Sequence, residues 1–269
     1  MRATALPLIA ALATAAALCT ACSAGPRSDA GKNSSAEAPA DHAATVRAAV
    51  KATRATSVDT RQKIETSDGE GQTYVLDVTG RFDLADDRGT LRVRMPKKPG
   101  KNTLQEVFAN GQVYVSDLPD VDEGVWATMP RHNAVSHAVL RAPVNDPEYL
   151  LQQIAAMRMV TEEGKETIEG VRTTRYRGML DHAALTRRMS PDLRDEMDRT
   201  RDTLGAEVVV FAEAWIDDKG HLVRTRTDLN LGGPRTTVTL NLSHHGSPVE
   251  VTVPMPYAQV LELAGPFLG

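Results

Sequence analysis

Cysteine and aromatic residues are scarce in this chain of 269 residues, which holds 2 Cys, 2 Trp, 4 Phe and 5 Tyr. Aromatics make up 4% of the sequence. That excludes a stacking platform for bases or sugars and leaves the core to aliphatic side chains. Positive charge is not in excess either: the formal net charge is -4, so no basic field for nucleic acid exists. The signatures of hydrolytic and nucleotide chemistry are missing, with no G-x-S-x-G, H-E-x-x-H, S-x-x-K, P-loop or G-x-G-x-x-G. No enzymatic activity and no cofactor is expected.

The seven histidines do not assemble a site in sequence. His244 and His245 are adjacent, so on a strand they would face opposite sides and could not easily share a metal. His132 and His137 fall in a loop, and His182 and His221 are isolated. Glu207 and Glu213 share one strand face by parity, but nothing marks either as a general acid. The acidic stretch from Asp117 to Gly124 lacks EF-hand ligand spacing and a distal bidentate Glu. It reads as a solvated loop, and no metal is expected.

What is present begins with an export signal. Met1-Arg2 is a short positive start, and Leu6 to Leu18 is an Ala/Leu-rich stretch too short for a comfortable membrane span. Small residues Thr20 and Ala21 stand directly before Cys22, an arrangement that resembles the bacterial lipobox. The resemblance implies cleavage after residue 21 and lipidation of the Cys22 thiol. Cys19 departs from it, standing where the pattern usually has Leu. A plain secretory signal with a chance cysteine is the alternative. Cysteine arithmetic favours the lipid: Cys19 leaves with the signal, so Cys22 has no intramolecular partner. Residues 1–21 are therefore expected to be signal peptide and 22–41 a lipidated flexible tether. That tether holds Gly, Pro, Ser, Ala and charged residues, with nothing apolar larger than Ala. The expected location is the extracytoplasmic face of the cell membrane.

Residues 42–269 read as one β-rich domain. Asp41 caps a thin amphipathic helix reaching about Thr56, with Val46 and Val50 at i, i+4. Strands follow from Ser57 to Met129. In the clearest, Tyr74, Leu76, Val78, Phe82 and Leu84 point one way, and Thr73, Asp77, Thr79, Arg81 and Asp83 the other. Leu91 and Val93 continue the apolar face, and Asn110-Gly111 is the strongest hairpin signal in the chain. Asp146-Pro147 starts a helix with Leu150, Ile154 and Met157 on one stripe. Two strands meet at Gly170. Asp181 to Leu204 is a helical excursion split at Ser190-Pro191, whose charged second half, with sparse Leu193, Met197 and Leu204, suits a surface cover or lid. Ala206 to Ile216, His221 to Leu231 and Thr236 to Leu242 return to strand, with Val223, Leu229 and Leu231 expected on one apolar face and Val238, Leu240 and Leu242 on the next. Ten or eleven strands with three or four helices predict an α+β fold whose long antiparallel sheet is strongly curved and partly closed.

The order of these elements resembles a known family. Its marks are the lipobox at Cys22, the strand pair Glu169-Gly170-Val171-Arg172-Thr173-Thr174-Arg175-Tyr176-Arg177-Gly178, the Trp215-Ile216-Asp217-Asp218-Lys219-Gly220-His221-Leu222-Val223-Arg224 hairpin, and Gly246-Ser247-Pro248-Val249-Glu250-Val251-Thr252-Val253-Pro254. From about Ala43 onwards the chain is similar to actinobacterial LolA-like lipoproteins of the LppX/LprG group. That resemblance implies a half-open β-barrel with covering helices around a hydrophobic cavity, whose members bind or carry acylated lipids or lipoproteins. It carries over no catalytic residue. Alternation alone places a guest against Tyr74, Leu76, Val78, Phe82, Leu91 and Val93, with Val238, Leu240 and Leu242 as the other wall. The same residues could instead form a filled core. An envelope sensor binding a membrane protein, as RseB-type proteins do, is the alternative function; it needs an exposed patch instead of a cavity.

Overall fold

The computed structural model describes residues 41–94, 103–116, 122–134, 145–189, 191–205, 210–230 and 233–259. The expected signal peptide 1–21, the expected tether up to residue 40, His137, Glu207 and the side chains of Leu193 and Leu204 lie outside the described residues, as does most of the acidic loop. Residues Ala40 to Gly269 form one compact unit.

The unit opens with α1 (His42–Arg54), whose cap is Asp41, accepting from the Ala44 amide at 2.9 Å. Then come β1 (Ser57–Ser67), β2 (Thr73–Asp83), β3 (Arg88–Arg94), β4 (Thr103–Ala109), β5 (Gln112–Val115) and β6 (Trp126–Pro130). A 3-10 turn at Arg131–Asn133 precedes α2 (Pro147–Ala155). The second half runs β7 (Arg158–Ile168), β8 (Val171–Leu180), α3 (His182–Leu185), α4 (Pro191–Leu204), β9 (Val210–Asp217), β10 (Leu222–Asn230), β11 (Arg235–Ser243) and β12 (Tyr257–Gln259).

All twelve strands share one sheet, in the order β12-β6-β5-β4-β3-β2-β1-β11-β10-β9-β8-β7. The chain thus lays two meanders. The first steps outward from β1 to β6. The second steps inward from β7, until β11 pairs with β1 through a register from Asp59↔Ser243 to Ser67↔Arg235. Among the described strands, β12 alone is parallel to its neighbour, β6, and it is the strand beyond the ten or eleven expected.

The curvature is visible in what packs together. Val113 and Val115, near one end of the sheet, join one core cluster with Tyr176 and Leu180, near the other. Val46, Ala49 and Val50 of α1 and Tyr149, Leu150, Leu151 and Ile154 of α2 fill the concave side between them. The convex side is mostly charged. It carries two small apolar clusters: Val107, Ala109 and Tyr114 under the C-terminal segment at Val251 and Val253, and Ile168, Trp215 and Val223.

Local chemistry accounts for most of these elements. Asn110 and Gly111 both take positive φ, 55° and 71°, as a two-residue I′ hairpin loop between β4 and β5 requires. Asp146 accepts from the Glu148 and Tyr149 amides at 3.0 and 3.2 Å, with Pro147 behind it in the first turn of α2. Gly80 interrupts the apolar row of β2 because a β-carbon there would stand 2.0 Å from the Thr90 carbonyl oxygen.

One strand expectation is corrected. The register between β9 and β10 shifts between Leu222 and Arg224. A bulge changes facing on one side of itself, so Leu222 fills the core while Val223 packs on the convex face with Trp215. Val223 therefore does not share a face with Leu229. The described part of β9 begins at Val210, and residues 206–209 and Leu231 lie outside the described set. Among the described residues, no helix is long and apolar enough to cross a membrane.

Candidate functional site

The concave face is not completely filled. A cavity lies where α2, α3 and α4 cross the ends of β9, β10 and β11, walled by Leu150, Leu185, Met189, Met197, Val210 and Val238. Tyr149, Gln153, Thr227 and Thr236 add polar atoms to the wall. Its free space is ≈ 20 Å³, room for about one water. A ligand pocket for an acyl chain needs about 300 Å³ or more. The site as it stands is therefore closed, and a chain could enter only by displacing a wall.

The walls differ in how firmly they are held. Three anchors fix α2: its Asp146 cap, the ion pair from Arg54 of α1 to buried Glu148 at 2.5 Å, and Tyr149. The Tyr149 side chain is 1% exposed, and its hydroxyl donates to the Leu185 carbonyl, tying α3 to α2. Burial pushes that hydroxyl well above its ordinary pKa. Asp181 caps α3 through the Ala184 amide at 2.9 Å. The link to α4 is thinner. His182 Nε2 meets Asp198 Oδ1 at 2.5 Å, and Met197 is the buried apolar side chain among the described residues of α4. Most of the helix is charged, and its first contacts with the core among the described side chains are Met197 and His182–Asp198. Met189 and Met197, unbranched and easily re-packed, face the space that a guest would take.

The nine residues picked out by alternation are brought to one sheet but not to one cavity. Val238 lines the cavity. Leu76, Val78, Phe82, Leu91, Val93, Leu240 and Leu242 are 0–3% exposed and lie in the same core cluster, with Phe82 tilted against Phe108 at 5.2 Å. Tyr74 has the expected parity but sits near the strand's open end. It is 41% exposed, and its hydroxyl donates to Gln72 at 2.8 Å. The wall residues Tyr149, Leu185, Met189 and Val210 were not legible as a site. Besides Val238, only Leu150 on the α2 stripe and Met197 among the sparse apolar positions of the charged helix carry a signal of the cavity wall in the sequence.

The polar groups outside the cavity are engaged elsewhere. Arg175 holds Glu213 at 3.1 Å through Nε. His221 and His245 stack at 4.9 Å, and burial, with His221 alongside, lowers the His245 pKa. His244 lies 3.1 Å from Asp59. Among the described residues, no group of three His, Cys, Asp or Glu could hold a metal ion.

Several solved structures align with most of this chain at low identity. LprF from Mycobacterium bovis aligns with 80% of this chain and 98% of its own length, at 18% identity and a TM-score of 0.48. The Mycobacterium tuberculosis lipoprotein LppX aligns with 79% of this chain and 100% of its own, at 18% identity and a TM-score of 0.45. A LolA-superfamily protein of Nitrosomonas europaea aligns with 76% of this chain and 92% of its own, at 10% identity and a TM-score of 0.33. No protein-family model matches the chain, and no curated protein matches it.

Proposed function

We propose that this protein is a non-enzymatic lipoprotein, anchored through Cys22 on the extracytoplasmic face of the membrane. It binds the acyl chains of a lipid or lipoprotein beneath its covering helices. The observation that carries this reading is the cavity itself. It has aliphatic and thioether walls on the concave face, and it is closed on one side by a mostly charged helix. Outward movement of α3 and α4 opens the site toward Val210 and Val238. A longer guest would then run along the apolar row toward Leu240 and Leu242, and only by parting the packed core would it reach Leu76, Val78, Phe82, Leu91 and Val93. Each methylene that it buries contributes about 0.8 kcal/mol, so a long chain needs no specific polar partner.

The test is native mass spectrometry of the 40–269 fragment purified without detergent, before and after mixing with lipid vesicles. Adducts of acylated-lipid mass are expected. In Val238→Leu, the added methylene takes up the free space, and the load is expected to fall by roughly fourfold, about 0.8 kcal/mol of lost burial. A fragment that stays bare after mixing would overturn the reading and favour an interaction module that binds a membrane protein.

The anchor makes a separate expectation. Radiolabelled palmitate enters the full chain, and Cys22→Ala abolishes labelling and releases the protein to the medium. Label persisting in Cys22→Ala would place the acyl group elsewhere.

A further inference from the structure

The convex side of the cavity rim carries a different surface. Arg175 and Arg177 of β8, Phe211 and Glu213 of β9, Arg226 and Asp228 of β10 and Arg235 of β11 form a shallow groove of ≈ 370 Å³. The strand register sets its order. Arg177, Glu213 and Arg226 stand side by side across three strands, and Met179, Phe211 and Asp228 form the next row toward the rim. Within the groove four guanidinium groups face two carboxylates, both committed, and beside Arg175 the β7 carboxylates Glu166 and Glu163 add their charge. Glu213 is held by Arg175, and Asp228 takes Arg235 Nε at 3.0 Å. Arg226 reaches Asp228 only at 3.7 Å. The Arg177 guanidinium has no carboxylate partner among the described residues and lies over the Phe211 ring at 5.3 Å. Phe211 is 46% exposed, while the other described phenylalanines, Phe82 and Phe108, are 0% and 1% exposed.

We propose that this cationic rim, tipped by Phe211, is a docking surface for an anionic lipid bilayer. The chain as a whole carries -4, so an anionic membrane repels it on average and attracts it only where cations are locally in surplus. Arg177, which has no carboxylate partner among the described residues, and Arg226, which shares Asp228 with Arg235, stand with one exposed aromatic and suit the headgroup boundary. The charges meet lipid phosphates, and the ring enters the acyl edge. Position adds a second reason. Phe211 faces out, while its neighbour Val210 faces in and lines the cavity. A protein lying on this patch therefore brings the rim of the cavity to the membrane surface. That consequence rests on the proposed lipid-binding function; the docking rests on charge and exposure alone.

The experiment is co-sedimentation of the 40–269 fragment, which contains the whole described core and no acyl anchor. The vesicles are phosphatidylglycerol mixed with phosphatidylcholine, or phosphatidylcholine alone. Binding is expected only to the anionic vesicles, and it should be lost between about 0.05 and 0.5 M NaCl, the range over which screening shortens from ~14 to ~4 Å. Each arginine at such a surface contributes on the order of fivefold in affinity, so Arg177→Gln with Arg226→Gln should weaken binding by about 20–30-fold. Phe211→Ser should weaken it about tenfold with the charge unchanged. Arg47→Gln with Lys51→Gln, which removes the same charge from exposed positions on α1, should leave binding unchanged. Equal binding to uncharged vesicles, undiminished binding by the arginine pair and by Phe211→Ser, or equal loss in the α1 pair would each overturn the proposal. So would failure to bind vesicles together with tight binding of a polyglutamate peptide, which would assign the patch to an acidic protein. Lipid loading in the mass spectrum is read independently, so a docking failure is distinguishable from an empty cavity.

Discussion

Arg131→Met is expected to destabilise the folded domain by about 3–5 kcal/mol, the usual cost of removing one partner from a buried ion pair. Arg131 is 4% exposed and lies between the first meander and α2. Its Nε and Nη2 donate to the two oxygens of Asp146 at 2.5 and 2.6 Å, and its Nη1 donates to Asp87 at 2.6 Å. The guanidinium also stacks over Phe108 at 4.8 Å. Burial alone would lower its pKa, but the Asp146 and Asp87 carboxylates more than reverse that, so the cation is held well above its ordinary value. Without it, Asp146, 1% exposed, keeps its charge in the interior and has only the helix amides to share it. For a domain of this size the loss corresponds to about 6–20 °C in Tm. Arg131→Lys, which keeps the charge but not the planar fork, should fall between. Calorimetry of the three proteins checks the order; a methionine variant melting within about 2 °C of the parent would show that the strut carries little.

Glu106→Gln is expected to do the opposite, and in a pH-dependent way. Glu106 is buried on the concave side of β4, 3% exposed, where it accepts from Asn145 Nδ2 at 2.6 Å. Burial pushes its pKa up to about 8, the nearby Asp146 charge adds to this, and the Asn145 bond opposes it. The sign follows from proton counts. Well below pH 4.5 both the folded and the unfolded chain hold the proton. Between 4.5 and about 8 the unfolded chain releases it while the folded chain retains it, so stability falls as pH rises through that window. The full difference above pH 8 is on the order of 5 kcal/mol at about 1.4 kcal/mol per pH unit. Glutamine keeps the acceptor for Asn145 and carries no charge to desolvate. The two proteins should therefore unfold at similar denaturant concentration at pH 4, with the variant pulling ahead steadily to pH 8. Parallel stability profiles from pH 4 to 9 would mean that Glu106 is ionised in the fold without penalty.

Much of this architecture was legible because short-range chemistry specifies it. The period-2 alternation of β2, the Asn110-Gly111 loop and the Asp146-Pro147 helix start each depend on residues within a few positions of one another. Reading failed where a distant element decides. The bulge beside Val223 is a property of how β10 pairs with β9, and no residue of β10 announces it. Tyr74 repeats the parity of Leu76 and Val78, yet its position near the open end leaves it in solvent. Arg131 and Glu106 look like ordinary surface residues in the sequence. They became buried because the 3-10 turn and the start of α2 close over that end of the sheet.

The sequence by itself determined most strand faces and the helix caps, and the expected export signal, tether and lipid attachment at Cys22 rest on it alone. All are set by composition, by period or by contacts a few residues long. Tertiary structure alone decided which apolar residues are core and which line a cavity, since side chains of identical parity differ only in what the helices lay over them. It also decided that Arg177, Phe211 and Arg226, spread over 50 positions of chain, stand together at one rim. Cross-strand register sets that neighbourhood, and register is fixed by pairing between whole strands instead of by any local run of residues.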